Sequence, residues 1–302
     1  MIKNPKILVT GATGFIGSHL LVKLIDLNFE VMAIARKNGP DLGKNLSWLA
    51  SDIASLDEIK DKIRKFRPEV VVHLAWQGIP DYSLETSQLN LDISRDFLTY
   101  LSQLNSCKKI IVSGSCWEYG KDNGICKEKD ASIANNHFTW AKNSLREHLK
   151  IACETEDVDL VWFRIFFSYG PSQRKGSLIP SILSALENKT LPDINTPYNS
   201  NDFIFVEDVV MAFVKAITTK IPVGIYNLGS GKATPIIDVC RIAEQTILGN
   251  HNLTDSMSFK NRETSSAVNF WACTKKAEKY LSWQTEVTLE EGIERTIQVL
   301  LK

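Results

Sequence analysis

Short apolar runs alternate with stretches of helical periodicity over the first 165 residues of the chain. The runs are rich in Val, Ile and Leu, which is typical of buried parallel strands, and they occupy residues 7–9, 31–34, 70–74, 110–113 and 160–165. Apolar residues recur at helical spacing between them, over residues 16–27, 56–66, 84–104 and 140–154. This alternation predicts βαβ units, and therefore an α/β fold built on a doubly wound parallel sheet.

The regular pattern ends near residue 170, where proline and glycine become frequent. We predict a first domain over residues 1–170 and a smaller, mixed region over residues 171–302. Residues 203–206 and 225–228 are candidates for strands by which the chain returns to the sheet. Residues 288–301 predict an amphipathic closing helix.

Composition narrows the classes of protein to which this chain can belong. The chain has 302 residues, 44% of them apolar, and its 35 basic residues balance its 35 acidic ones. A net charge of zero gives no long-range attraction to nucleic acid or to anionic lipid, so we expect neither partner. The six cysteines form no C-x-x-C pair and no zinc-like cluster, and no apolar stretch reaches the roughly 20 residues of a membrane span. We expect a cytoplasmic protein with reduced thiols and without a metal.

The strongest local motif lies where the first strand must turn into the first helix. It reads Thr10-Gly11-Ala12-Thr13-Gly14-Phe15-Ile16-Gly17, with the spacing G-x-x-G-x-x-G. Glycine lets the backbone turn tightly and approach a pyrophosphate, and the helix start offers free N–H groups to it. The motif predicts a dinucleotide site that includes Gly11, Thr13, Gly14, Phe15, Ile16 and Gly17.

The end of the second strand carries the residues that discriminate between NAD and NADP. An acidic residue there would accept a hydrogen bond from the ribose of NAD, but this chain has Arg36 and Lys37, which suit the 2′-phosphate of NADP. We therefore expect NADP, with NAD as the weaker alternative. Asp52 either caps the next helix or accepts a hydrogen bond from the adenine amino group.

The order and spacing of further motifs identify a family resemblance. The motifs are Asp52-Ile53, Val72-His73-Leu74-Ala75, Asn90, Ser113-Gly114-Ser115, Tyr119-Gly120, Lys142, Arg164, Tyr169-Gly170-Pro171, the run from Asp202 to Asp208 and the run from Tyr226 to Gly231. With these motifs the chain resembles the extended short-chain dehydrogenases/reductases, most of which act on nucleotide-activated sugars. The resemblance implies a Rossmann domain, a substrate-binding region after it, and cofactor contacts from Ile53, Leu74, Ala75 and Lys142.

The same resemblance implies a serine and a Tyr-x-x-x-Lys pair that handle the proton, while nicotinamide handles the hydride. Ser115 and Lys142 occupy the positions of this serine and this lysine, but the residue four positions before the lysine is Phe138 instead of tyrosine. A phenyl ring cannot donate a proton, and proton transfer of this kind contributes about 10²- to 10⁴-fold in rate. The absence of tyrosine at position 138 has three explanations: another proton donor, a loss of catalysis, or an engineered replacement of tyrosine by phenylalanine.

Three chemistries are known in the family that the chain resembles. Dehydratases carry an Asp-Glu pair directly after the hydroxyl residue, where this chain has Cys116 and Trp117, so dehydration is disfavoured. We favour an NADPH-dependent reductase of a nucleotide-linked 4-keto-6-deoxyhexose, with Ser115 polarising the carbonyl. We expect Cys116 and Trp117 to lie near the sugar, where their apolar bulk suits a 6-methyl group. The alternatives are an NAD-dependent nucleotide-sugar 4-epimerase and a non-catalytic subunit that senses the nucleotide.

Substrate contacts depart from the family pattern. Relatives commonly have Asn at the position of Phe167 and Arg at the position of Asn201. The residues of this chain therefore lack polar contacts that relatives make to the nucleotide diphosphate. The resemblance implies that Arg262 grips the diphosphate, and Arg174 with Lys175 either supplements it or forms a solvated loop. The resemblance also implies a homodimer formed by the helices over 84–104 and 140–154.

Overall fold

The computed structural model describes residues 4–256 and 268–300. Its strands, numbered along the chain, are β1 (Ile7–Thr10), β2 (Val31–Ala35), β3 (Leu46–Ala50), β4 (Val70–His73), β5 (Lys109–Ser115), β6 (Asn123–Cys126), β7 (Asp159–Ile165), β8 (Phe167–Tyr169), β9 (Ser200–Asn201), β10 (Phe203–Phe205), β11 (Gly224–Leu228), β12 (Thr234–Pro235) and β13 (Asn269–Ala272). A short 3-10 helix, Cys116–Tyr119, follows β5 directly.

The α-helices of the described residues separate these strands. They are α1 (Phe15–Asp26), α2 (Leu56–Phe66), α3 (Leu84–Ser102), α4 (His137–Thr155), α5 (Leu178–Glu187), α6 (Val206–Thr218), α7 (Ile236–Leu248), α8 (Asn252–Ser256), α9 (Lys275–Leu281) and α10 (Leu289–Leu300).

A seven-stranded parallel sheet forms the centre of the fold, in the order β11-β7-β5-β4-β1-β2-β3. Successive side chains of a strand point to opposite faces, so Val9 packs with α1 and α6 while Leu8 packs with α2, α3 and α4. The apolar runs are therefore buried on both faces. The predicted doubly wound α/β fold is confirmed.

Helix boundaries follow local capping chemistry more than apolar periodicity. The helix predicted over 140–154 begins earlier, at His137, because the Asn136 side chain accepts a hydrogen bond from the Thr139 N–H, 2.9 Å away. The helix predicted over 84–104 ends at Ser102. The closing helix is α10, and residue 301 of its predicted range lies outside the described residues.

The two strands predicted after residue 170 join different sheets. β11 joins the central sheet beside β7, whereas β10 pairs with β8 in a separate two-stranded sheet. The central sheet is thus completed by a segment from beyond residue 170. The assignment of substrate binding to residues 171–302 stays a prediction.

A buried carboxylate, Asp202, ties the later segments together. Its side chain accepts hydrogen bonds from the N–H and Oγ of Ser230, both at 2.6 Å, from the Gly231 N–H and from the Ala272 N–H. Asp202 itself lies between β9 and β10. One side chain therefore holds the loop after β11 and the end of β13 next to β9 and β10.

Candidate active site

The turn after β1 requires glycine at two positions because of its close contacts. Gly11 has a φ of +66°, and a Cβ there would lie 2.7 Å from the Ala75 nitrogen and from the Leu74 carbonyl carbon. A Cβ on Gly17 would lie 2.1 Å from the Gly11 oxygen. The first turn of α1 carries no acidic residue and no side-chain cap, so its N–H groups are free to bind an anion. This cradle fits the pyrophosphate of a dinucleotide.

An open groove extends from this turn across the carboxyl ends of β1, β2 and β4. Its lining includes Gly11, Thr13, Gly14, Ile34, Ala35, Arg36, Asp52, Ile53, Leu74, Ala75, Trp76, Gln77 and Asn90. Most of the predicted cofactor residues thus share one groove. Phe15, Ile16 and Gly17 do not line it and belong to the first turn of α1.

Arg36 and Asp52 border the groove at the end away from β4. Arg36 is exposed directly after β2. The Asp52 carboxylate accepts a hydrogen bond from the Ala54 N–H, 3.0 Å away, and so stabilises the turn that precedes α2. Since Asp52 also lines the groove, both interpretations of this residue stay open.

Two buried polar side chains fix the loop after β4. His73 lies between the Thr10 hydroxyl, at 2.9 Å from Nδ1, and the Ser94 hydroxyl, at 3.2 Å from Nε2. Complete burial, with a smaller contribution from the charge of Lys142, lowers the pKa of His73 to about 3, so the ring is neutral. Asn90 accepts from the Gln77 N–H and donates to the Gln77 carbonyl. His73 therefore ties the end of β4 to β1 through Thr10 and to α3 through Ser94.

Lys142 reaches the end of β5 from α4. Its ammonium donates to the Ser113 carbonyl at 2.9 Å and lies 3.9 Å from the centre of the Trp76 ring. Burial lowers the pKa of Lys142 to about 8, and the Glu118 charge opposes that shift. Ser115 ends the same strand two residues later. The structure thus brings the predicted serine and lysine to one strand end, beside the groove.

Phe138 lies one helical turn before Lys142, in an aromatic cluster that we define as Trp76, Tyr82, Trp117 and Phe138. The Phe138 ring centre lies 5.6 Å from that of Trp76, 5.4 Å from that of Tyr82 and 6.3 Å from that of Trp117. The Lys142 ammonium lies 6.0 Å from the Phe138 ring centre. The site therefore has an apolar aromatic wall around the position where the family pattern predicts tyrosine.

Glu118 is a site residue that sequence reasoning missed. It is 0% exposed, and its Oε1 accepts a hydrogen bond from the Ser115 N–H at 2.7 Å. The remaining donors to its carboxylate are the Trp162 indole, the Arg146 guanidinium and the Arg164 guanidinium. The signal in the sequence is Arg164, a charge inside an otherwise apolar strand, because such a charge needs a buried partner.

The remaining residues predicted to bind substrate do not all lie at one place. Trp117 and Phe167 line a second cavity, together with Asn201 and Phe270, next to the aromatic cluster. Arg174 is exposed, and its charge acts on the pKa of Tyr82, which places the guanidinium near that ring. Arg262 lies outside the described residues.

Cys116 is buried instead of facing the groove. It is 4% exposed and packs with Tyr119, Cys126, Phe166 and Phe270. Burial raises the pKa of its thiol well above the usual value. A buried neutral thiol offers little contact surface and no acid–base chemistry, and the contact of Cys116 with a substrate stays a prediction.

Residues 4–256 and 268–300 contain neither a candidate metal cluster nor a candidate membrane-spanning helix. No cluster of three or more His, Cys, Asp or Glu side chains in this part of the chain could hold a metal ion. No helix in these ranges is both long and apolar enough to cross a bilayer.

Known proteins match this chain over most of its length. The model of the NAD dependent epimerase/dehydratase family matches residues 7–229. A dTDP-4-dehydro-6-deoxyglucose reductase from Escherichia coli is 26% identical, over 97% of this chain and 96% of the relative. A probable dTDP-glucose 4,6-dehydratase from Sinorhizobium fredii is also 26% identical, over 98% and 93% of the two chains.

A solved structure shares the fold. The UDP-glucuronic acid 4-epimerase from Bacillus cereus, in complex with UDP-glucuronic acid and NAD, superposes with a TM-score of 0.83. The alignment covers 98% of this chain and 99% of the epimerase, at 23% identity. At this level of identity the likeness establishes the fold and leaves the reaction open.

The close approach at Gly11 predicts the effect of a single methyl group. Gly11→Ala should lower the free energy of unfolding by about 1–3 kcal/mol more than Gly249→Ala, because a Cβ at residue 11 meets backbone atoms that cannot move aside. Gly249 is a matched control, since its φ is +71° and a Cβ there meets nothing within 4 Å. Denaturant unfolding and dinucleotide binding are measured for both variants. Equal losses of stability, with equal dinucleotide affinity, would contradict the close backbone contact at Gly11 and its part in the dinucleotide site.

The burial of neutral His73 predicts a pH dependence of stability. The pKa is about 3 in the folded protein and 6.5 in the reference state, so the unfolded chain binds the extra proton over this interval. This contribution to stability is complete above the reference pKa and is lost as the pH falls from that value to the folded-state pKa. We expect His73→Gln to flatten the acid limb of the stability curve between pH 6.5 and about pH 3. The exposed-site variant His137→Gln should keep the wild-type slope; an unchanged slope in His73→Gln would disprove this account.

Proposed function

The chain belongs to the NAD dependent epimerase/dehydratase family, and from this premise we propose that it uses NADPH to reduce the 4-keto group of a nucleotide-linked 4-keto-6-deoxyhexose. Family membership makes it a nucleotide-sugar-modifying enzyme with a nicotinamide dinucleotide cofactor. The reductase from Escherichia coli, which matches nearly the whole chain, supports the proposed reaction class.

The observation that carries the proposal is the lack of a usable carboxylate after Ser115. Dehydration needs acid–base groups beside the sugar, but Cys116 is a buried thiol and Trp117 is an indole. The next residue, Glu118, is fully buried and bonded to four donor groups, so its carboxylate offers no surface to a substrate. Reduction requires only hydride transfer and one proton.

Arg36 supports NADPH over NADH. It is exposed at the groove, directly after β2, at the position where an acidic residue would favour NAD. The Bacillus cereus epimerase binds NAD, and this supports the alternative of a 4-epimerase with a retained cofactor. An exchangeable NADPH suits a reductase, because each turnover consumes one reduced cofactor.

Each side chain of the site has a proposed task. The Ser115 hydroxyl polarises the substrate carbonyl, and Lys142, held by the Ser113 carbonyl and the Trp76 ring, binds the nicotinamide ribose. NADPH, when bound in the groove, would supply the hydride. Phe138 cannot supply the proton. Its ring and Trp117 instead form an apolar wall that suits the 6-methyl group of a deoxyhexose.

The substrate's nucleotide diphosphate would lie at the second cavity. Phe167 and Trp117 line this cavity, and the exposed Arg174, whose charge acts on Tyr82, is proposed to supply a positive charge for the diphosphate. Arg262 is proposed to grip the diphosphate, on the family resemblance alone. We also propose a cytoplasmic homodimer formed through α3 and α4, where Leu89 and Ile151 are exposed apolar residues.

The proposed reaction is tested with a panel of 4-keto-6-deoxyhexoses linked to dTDP, CDP, GDP or UDP. We expect at least the Phe138→Tyr variant to oxidise one NADPH per sugar reduced, because it restores the phenol beside Lys142. Absorbance of NADPH and mass spectrometry of the sugar nucleotide are the readouts. Failure of both proteins on every sugar would remove the reductase.

The other outcomes of the same assay identify the alternatives. Interconversion of UDP-sugars without net oxidation of NADPH would establish the 4-epimerase. Binding of NADP without turnover, even in the Phe138→Tyr variant, would favour the non-catalytic subunit.

The proposed role of Arg36 predicts a change in cofactor preference. Arg36→Ala should weaken NADPH binding by about tenfold, equivalent to about 1.4 kcal/mol, and leave NADH binding unchanged, because only NADPH carries the 2′-phosphate. Dissociation constants from nicotinamide fluorescence check this, with Arg64→Ala on the exposed face of α2 as the control. Equal weakening of NADPH and NADH would disprove phosphate recognition by Arg36.

A further inference from the structure

We propose that Tyr82 donates the proton that the residue at position 138 cannot, so that this enzyme has moved its proton donor from α4 to the loop before α3. The inference rests on the proposed reductase function. It explains how a site with Phe138 can turn over without any change of sequence.

The position of the Tyr82 ring is the first support. Its centre lies 5.4 Å from that of Phe138 and 5.3 Å from that of Trp117. Trp117 is in turn tied to Ser115, because its backbone N–H donates to the Ser115 Oγ at 3.2 Å. Tyr82 therefore packs against both the Phe138 ring, which carries no hydroxyl, and Trp117, which lies two residues after the carbonyl-polarising serine.

The Tyr82 hydroxyl is chemically available. Of the four rings in the aromatic cluster, Tyr82 alone carries a hydroxyl group. This hydroxyl makes no hydrogen bond with any residue in 4–256 or 268–300. By contrast, the hydroxyls of the buried residues Tyr119 and Tyr226 are bonded to the Asn227 side chain and the Pro222 carbonyl. Tyr82 is partly buried, so its hydroxyl can meet a substrate and then exchange with solvent.

The loop around Tyr82 is held in place on its C-terminal side. The Asp81 carboxylate accepts from the Ser83 N–H at 2.9 Å and from the Thr86 hydroxyl. Ser83 caps α3 by accepting from the Thr86 N–H. Tyr82 therefore stands between two residues that fix the start of α3, which limits the entropy lost when the ring is positioned for proton transfer.

The reaction balances with Tyr82 as the acid. The carbonyl carbon of the sugar gains a C–H bond from the hydride of NADPH, the π pair of the C=O bond moves to the oxygen, and this oxygen takes the proton from the Tyr82 Oη. The products are the alcohol, NADP⁺ and a Tyr82 phenolate, which then takes a proton from solvent water. The positive charge of Arg174, which acts on Tyr82, stabilises the phenolate while it exists.

The electrostatics of Tyr82 suit an acid better than a base. Partial burial raises the pKa of Tyr82 above its usual 10.0, and the charge of Arg174 only partly opposes the shift. The phenol is thus protonated near neutral pH and ready to quench an alkoxide. A 4-epimerase needs a base in its first half-reaction, so a Tyr82 donor is consistent with reduction.

Four proteins test this inference: the wild type, Tyr82→Phe, Phe138→Tyr and the double variant Tyr82→Phe/Phe138→Tyr. We expect Tyr82→Phe to lower kcat by about 10²- to 10⁴-fold, with KM and the NADPH dissociation constant nearly unchanged, because only the proton is lost. The double variant should recover the loss, since it restores a phenol at position 138. A merely structural role of Tyr82 would not be rescued in this way. Tyr280→Phe, the same change at an exposed tyrosine on α9, is the matched control and should leave kcat unchanged.

Each other outcome overturns the inference. Equal kcat in the wild type and Tyr82→Phe would show that Tyr82 gives no proton. An inactive wild type beside an active Phe138→Tyr variant would reject the Tyr82 donor and leave the proposed reductase function intact. No turnover by any of the four proteins on any sugar of the panel would instead reject the reductase function, and the inference with it.

Discussion

Four donor groups converge on the carboxylate of Glu118, and the geometry of the active site depends on this buried ion cluster. The Arg146 and Arg164 guanidinium groups neutralise the carboxylate inside the protein, where an unpaired charge would be expensive. The Ser115 N–H is one of the four donors, so the end of β5 cannot shift without breaking a charge-assisted hydrogen bond. Arg146 lies on α4, the helix that also carries Phe138 and Lys142. A single carboxylate thus fixes the serine relative to the helix that carries the lysine.

The dinucleotide groove depends on a second, separate constraint, the backbone contact between the first glycine turn and the loop after β4. The two constraints meet at that loop. His73 ends β4 between the Thr10 and Ser94 hydroxyls, and Trp76 in the following loop packs on the ammonium of Lys142. The same short segment therefore lines the groove and contacts the lysine at the end of β5. This arrangement brings the groove and the Ser115 end of β5 to one segment of the chain, as the proposed function requires.

The sequence predicts the elements of the central sheet because buried parallel strands are continuously apolar, as in the run over residues 70–73. Ser115 and Lys142 could be predicted because the family resemblance assigns roles to a serine and a lysine at these positions. Glu118 and Tyr82 could not, since their roles come from contacts across the fold: Glu118 with Arg164, 46 residues away, and Tyr82 with Phe138 and Trp117. The pairing of β10 with β8 could not be predicted either, because local periodicity identifies a strand but not the strand with which it pairs.

The central claim is that the groove and the Ser115 end of β5 form one hydride-transfer site. The most direct measurement follows the hydride itself, with NADPH deuterated on the transferable face at C4 of the nicotinamide and a nucleotide-linked 4-keto-6-deoxyhexose. NMR and mass spectrometry of the product locate the deuterium. The account predicts one deuterium on C4 of the sugar for each NADPH oxidised. A sugar that leaves the enzyme without deuterium, while the label stays in the cofactor, would contradict it.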